Sequence, residues 1–153
     1  MQAQRRQFIK HCCALLAIGC STLLRPVSSF ASDWNKNGFE SRSLADVLKS
    51  LNAGTPSDSG SILLKVPDIA DQSSDVPIFI SSRISNTQSI SIIVESNTHP
   101  LVASFAFSNG VEPMVSTHLK VRKTSSIKVI VQANGEYHWV SKQVKVATAE
   151  KCK

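Results

Sequence analysis

Between positions 76 and 146, apolar residues return at every second place in one short run after another. Val76, Ile78 and Ile80 alternate; so do Ile90, Ile92 and Val94, then Leu101, Ala103, Phe105 and Phe107. Val115, Thr117, Leu119 and Val121 follow, and then Ile127, Val129 and Val131. Successive side chains of a strand point to opposite faces, so a period of two marks strands with one face buried. Ile93 faces away from its neighbours in the third run. The breaks carry turn residues: Asn86-Thr87-Gln88, Asn97-Thr98-His99-Pro100, Asn109-Gly110, Thr124-Ser125 and Asn134-Gly135. The Asn-Gly pairs suit the positive φ angles of tight hairpins. An earlier strand is expected over 61–66, a polar connection over 67–74, and two further strands at the end. One of these holds Tyr137, Trp139 and Val140, the other Val144 and Val146. Many short strands with this spacing predict an all-β fold, an antiparallel β-sandwich.

One segment breaks the pattern. Ser43 can cap a helix whose first turn contains Asp46, and Leu44, Val47, Leu48 and Leu51 recur at helical spacing. Gly54 and Pro56 are expected to end it. This predicts one short N-terminal helix over 44–52, preceded by a polar lead-in over 32–42 and belonging to a single domain over 43–147.

The first 31 residues have a different character. A basic start with Arg5, Arg6 and Lys10 precedes an apolar run from Cys12 to Leu24, and Ser29-Phe30-Ala31 offers small residues at a cleavage site. This is the form of an export signal, and the Arg5-Arg6 pair before Phe8-Ile9-Lys10 is twin-arginine-like. It predicts a periplasmic protein, free of the membrane once the signal is removed. Cleavage after Ala31 also removes Arg25, leaving 13 basic residues against 11 acidic ones. The basic balance of the whole chain therefore belongs mostly to the signal and does not argue for nucleic acid. Cys12, Cys13 and Cys20 leave with the signal, unless Cys20 is a lipidation site, for which Ala17-Ile18-Gly19-Cys20 is a faint match. Cys152 remains alone on an arm over 148–153. A single cysteine in an exported chain has no internal partner and points to intermolecular pairing or to reactivity. The ammonium groups of Lys151 and Lys153 beside it favour the thiolate.

Little else suggests chemistry. His99, His118 and His138 lack the spacing of a metal site and read as surface histidines, the latter two on strands. There is no nucleophile elbow, glycine-rich phosphate loop or convincing carboxylate pair. A thiol on an arm is poorly placed beside a fixed base, so no enzyme, cofactor or metal is expected. Lys120, Arg122, Lys123 and Lys128 form a basic patch across adjacent strands, either a solvated sheet face or a docking surface for an acidic partner or small anions.

From position 89 to 146 the pattern resembles SoxY, the sulfur-carrier family of bacterial thiosulfate oxidation. The resemblance is carried by Asn97-Thr98-His99-Pro100, the alternation from Leu101 to Phe107, Val115-Ser116-Thr117-His118-Leu119-Lys120-Val121-Arg122, Lys123-Thr124, and Val144-Lys145-Val146 leading to a late Cys. The segments at 44–52 and 62–66 also fit. This resemblance implies an immunoglobulin-like sandwich that is not an enzyme. It also implies pairing with a SoxZ-like subunit and service to periplasmic sulfur-oxidation enzymes. The carrier cysteine would be Cys152. The chain departs from the family where the arm ends: Gly-Gly-Cys-Gly-Gly is replaced by Lys151-Cys152-Lys153. Two readings follow, a carrier with an altered arm, or a non-catalytic binding or assembly module that has lost the carrier role.

Overall fold

The computed structural model describes residues 34–71, 75–108 and 110–147. The expected signal over 1–31, with Arg5, Arg6 and Cys20, lies outside the described residues, as does the arm with Lys151, Cys152 and Lys153. The described fold is that of the unit Asn35–Lys153. Its elements are helices α1 (Lys36–Glu40) and α2 (Leu44–Ser50) and nine strands. In order these are β1 (Ser57–Asp58), β2 (Ile62–Lys65), β3 (Ile69–Asp71), β4 (Asp75–Ser82), β5 (Thr87–Val94), β6 (Leu101–Ala106), β7 (Met114–Lys120), β8 (Ser125–Ala133) and β9 (Glu136–Ala147).

The strands form two sheets, as an all-β sandwich requires. The larger has the order β1-β9-β8-β5-β6, with β3 also on β9; the smaller has the order β2-β4-β7. All pairings are antiparallel except two. β1 and β3 run parallel to β9, with Ser57 opposite His138 and Ile69, Ala70 and Asp71 opposite Lys145, Val146 and Ala147. Both are too short to show alternation, and β3 lies inside the expected polar connection over 67–74. The main core is the space between the sheets, where Val76, Ile78, Ile80, Ile90, Ile92, Val94, Val129 and Val131 meet.

A second core lies on the other face of the large sheet. Ile93, Ile130 and Leu101 point there and are covered by Val47 and Ala53, with Phe39, Leu44, Leu48, Leu51, Tyr137 and Trp139 packed around them. The molecule therefore has three layers: helices, large sheet, small sheet. The expected lead-in over 32–42 contains α1, which is one half of this helical layer.

Leu101 was expected to share a face with Ala103, Phe105 and Phe107. A bulge between Ile92 and Ile93 prevents this: Ile92 pairs with Ala103, but Ile93 pairs with Leu101. One extra residue turns Leu101 to the helical side while Ala103, Phe105 and Phe107 stay with the main core. The two expected final strands are one. β8 pairs with β9 continuously from Glu136 to Val144, so the polar Ser141-Lys142-Gln143 does not interrupt it. The strand changes its buried face along its length: Tyr137 and Trp139 face the helices, and Val140, Val144 and Val146 face the small sheet.

The start of α2 is as the residues demand. The Asp46 amide donates to Ser43 Oγ (3.1 Å), and the Ser43 hydroxyl donates to Asp46 Oδ2 (2.6 Å). Its end comes earlier than expected. Asn52, at φ +55°, takes the left-handed position that closes the helix, two residues ahead of Gly54, and the amides of Ala53 and Asn52 close onto Leu48 O (2.8 Å) and Lys49 O (3.1 Å). This is a Schellman closure with asparagine in glycine's usual place. The Tyr137 hydroxyl then donates to Leu51 O (2.6 Å), and Asn35 Nδ2 donates to Ser50 O (3.2 Å). These bonds fasten the helical layer to β9 and to itself. At the far end of the sandwich the Asn134-Gly135 hairpin has φ angles of +53° and +80°, as a tight turn needs.

Gly38 is buried where α1 crosses α2 and β6; a Cβ there would lie 2.8 Å from Ser50 Oγ and 3.0 Å from Leu101 Cδ2. Gly38→Ala is expected to lower unfolding free energy by about 1–3 kcal/mol through overpacking. Ile130→Ala, which opens the centre of the same layer, should cost about 2–5 kcal/mol. Urea unfolding followed by circular dichroism checks both values.

Candidate functional site

One end of the sandwich collects the residues singled out for possible chemistry. Val94 ends β5 and pairs with Ile127 near the start of β8. Val144, near the end of β9, pairs with Ser125. Lys120 ends β7 opposite Asp75, the first residue of β4. The loops 95–100 and 121–124 and the last residues of β9 therefore share this end.

The loop 95–100 is held in shape by its own backbone. Val94 N donates to Pro100 O (2.9 Å) and Asn97 N to Val94 O (3.1 Å). Glu95 N donates to Ser126 O (3.2 Å), and Ser96 N to the buried Ser125 Oγ (3.0 Å). His99 approaches Ser41 O through Nδ1 at 3.4 Å. Across from this loop stand Lys120, Arg122 and Lys123. Together with Ser96, Asn97, Thr98 and His99 they wall an open cleft of about 530 Å³. Lys120 Nζ lies 3.4 Å from Asp75 Oδ1, both side chains mostly exposed. Among the described residues, neither Arg122 nor Lys123 forms an ion pair and none that lines the cleft is a carboxylate. The arrangement is suited to holding a small anion.

Lys128 does not join this group. It was expected to extend the patch across adjacent strands, but β7 and β8 belong to different sheets. Its side chain lies on the helical face of the large sheet, over the Trp139 ring at 4.5 Å, and its ammonium pairs with Glu95 Oε1 at 2.8 Å. Only 16% of it is exposed. The three remaining basic residues instead gain Ser96, Asn97, Thr98 and His99 as neighbours. Nothing in their spacing announces this, because the two loops are separated by the whole of β6 and β7.

The other histidines are placed differently from each other. His118 is exposed on the outer face of the small sheet, as expected. His138 is half-buried on β9 beside β1: Ser57 Oγ lies 2.9 Å from its Nδ1, and Glu136 Oε2 lies 3.9 Å from its Nε2. Among the described residues no group of three or more His, Cys, Asp or Glu is placed to hold a metal ion. No described helix is long and apolar enough to cross a membrane.

The family model of the sulfur oxidation protein SoxY matches residues 48–149, from within α2 to just beyond the end of β9. Among solved structures, the chain is similar to the sulfur carrier protein SoxY from Chlorobium limicola f thiosulfatophilum. That likeness has 31% identity and a TM-score of 0.61, covering 68% of this chain and 96% of that one. It is also similar to a superoxide reductase (neelaredoxin) from Ignicoccus hospitalis, at 17% identity and a TM-score of 0.51, over 57% of this chain and 80% of that one. At such identity the second likeness is one of fold alone. None of the curated proteins compared matches the chain.

The different surroundings of the four basic residues predict different costs of removing them. Lys128→Met should lose about 1–2 kcal/mol of stability, from its ring contact and its ion pair. Arg122→Gln and Lys123→Gln should each stay within about 0.5 kcal/mol of the parent. Urea titrations of the three variants, run side by side, check the contrast.

Proposed function

The chain belongs to the SoxY family of sulfur oxidation proteins, and we propose that it holds a sulfur intermediate covalently on Cys152 during thiosulfate oxidation. In this reading it is a carrier, exported to the periplasm by the Arg5-Arg6 signal, and it acts with a SoxZ-like subunit and with periplasmic sulfur-oxidation enzymes. The observation that carries the proposal is the family match, which runs through the sandwich to the end of β9. Beyond that strand stands the one cysteine that follows position 31. The similar solved protein is itself a sulfur carrier.

The chemistry fits a thiol that is presented rather than buried. A thiolate is a soft nucleophile, and the S–S bond it forms can be broken again by exchange. Joining a thiolate to thiosulfate forms one S–S bond and releases two electrons. A partner redox protein has to accept them; the carrier supplies only the sulfur atom and its position. The sandwich gives that thiol a rigid base. Lys151 and Lys153, in place of the glycines usual in the family, draw anionic sulfur species toward it while making the arm wider. The same two residues favour a second reading, a binding or assembly module that no longer carries sulfur.

Intact mass of the protein taken from cells oxidising thiosulfate separates the two. A carrier is expected to show a reductant-labile sulfur adduct that Cys152→Ser abolishes together with thiosulfate-dependent turnover, and to co-purify with a SoxZ-like chain. An unmodified Cys152 under all sulfur-oxidising conditions, with the Ser variant fully active, leaves the assembly module.

A further inference from the structure

We propose that the surface around the end of β9 docks the enzyme that acts on Cys152, with Ile69 as its apolar anchor and Arg122, Lys123 and Lys145 as its charged rim. The partner it fits carries acidic residues around the entrance to its active site, with an apolar recess beside them. This inference rests on the carrier reading above.

Position comes first. The last three residues of β9 lie between two other segments. On one side β3 pairs with them, Ile69 opposite Lys145 and Asp71 opposite Ala147. On the other, Val146 N donates to Thr124 Oγ1 (3.0 Å), and Thr124 follows Lys123 directly. Cys152 is five residues beyond Ala147. An extended chain of that length spans about 17 Å at most. An enzyme that closes on the thiol therefore comes within that distance of Ala147 and of the segments on either side of it.

The anchor comes second. Ile69 is 66% exposed. A single exposed isoleucine is ordinary on a surface; this one stands on the strand that pairs with the end of β9. Its backbone is held: Lys145 N donates to Asp68 O (2.9 Å), and the next residue, Ala70, is buried in the main core. A side chain presented from such a base loses little freedom when a partner covers it.

Charge comes third. Lys120, Lys128 and Lys142 each hold a carboxylate, those of Asp75, Glu95 and Asp68, at 3.4, 2.8 and 2.9 Å. Arg122, Lys123 and Lys145 are exposed and enter no ion pair among the described residues. Among the described residues of this end, Asp71 is the acid that stands against these three. Exposed cations bind weakly one by one, but together they speed the approach of an acidic surface and fix its orientation. The chain beyond β9 adds Lys151 and Lys153 against Glu150. An acidic entrance accommodates these lysines where a slot fitted to the family's glycines does not.

The test uses protein beginning at Ser32, in which Cys152 is the sole thiol. A periplasmic extract of thiosulfate-oxidising cells that lack this chain, supplied with thiosulfate, loads it enzymatically. The Cys152 thiolate and thiosulfate join through a new S–S bond, and two electrons pass to redox proteins of the extract. Iodoacetamide, small and neutral, measures the thiol itself: the thiolate displaces iodide and an S–C bond forms. Intact mass gives both rates, at carrier concentrations below saturation. Arg122→Glu/Lys123→Glu is expected to slow enzymatic loading about tenfold at low salt, with the gap closing as salt is raised. Ile69→Ser should slow it about fivefold at any salt. Lys65→Glu, a charge reversal on the small sheet, should match the parent, and iodoacetamide should react equally with all four proteins. An enzymatic rate equal to the parent's in either of the first two variants overturns the docking surface. So does a slowing that iodoacetamide shares, that Lys65→Glu reproduces, or, for the charge reversal, that salt leaves unchanged. A parent that reacts with iodoacetamide but is never loaded by the extract overturns the carrier reading, and the docking surface with it.

Discussion

The centre of the large sheet is buried on both faces, and the rest of the molecule is arranged to cover it. β5 from Ile90 to Val94 is wholly buried, as are Val129, Ile130 and Val131 of β8. Every second residue of these strands needs the small sheet, and the residues between need something else. Among the described residues that cover is the pair of short helices, each too short to be stable alone in water. They persist because they cover Ile93, Leu101 and Ile130 and because Tyr137 and Asn35 bond the end of α2. A bulge in the β5–β6 pairing is part of the same solution, since it turns Leu101 toward the helices without disturbing the main core.

Much of this is legible in the residues themselves. The alternating runs mark β4, β5, β7 and β8, and the serine and aspartate of α2 mark its start. What is not legible depends on partners distant in the chain. β1 and β3 have no pattern of their own and are strands only because β9 offers them an edge. β9 looks like two strands because it hides one face under the helices and the other under the small sheet. α1 has too few apolar residues to show a helical stripe; its place depends on Gly38 allowing close approach to Ser50 and Leu101.

The candidate site shows the same division. That Cys152 stands alone after position 31 is plain from the sequence. That Arg122 and Lys123 face Ser96, Thr98 and His99 is not, because the loops meet only when both sheets are assembled. Lys128 is the instructive error. By spacing it belongs with the other basic residues, but a strand in the other sheet carries it to the helical face, where Trp139 and Glu95 hold it. Its contribution to the cleft is indirect, through the carboxylate it takes away.

The parallel strand β3 has a consequence for whatever lies beyond it. Its three residues pair with Lys145, Val146 and Ala147, and Lys145 N also donates to Asp68 O (2.9 Å). With Thr124 bonded to Val146 on the other side, β9 is clamped on both edges through its final turns of pleat. The point at which the chain leaves β9 is thus fixed at Ala147, and Cys152 follows five residues later in the sequence. Tethers of this length create effective concentrations in the millimolar range. Any surface that a tether of this length reaches from the end of β9 needs only millimolar intrinsic affinity to be occupied for much of the time.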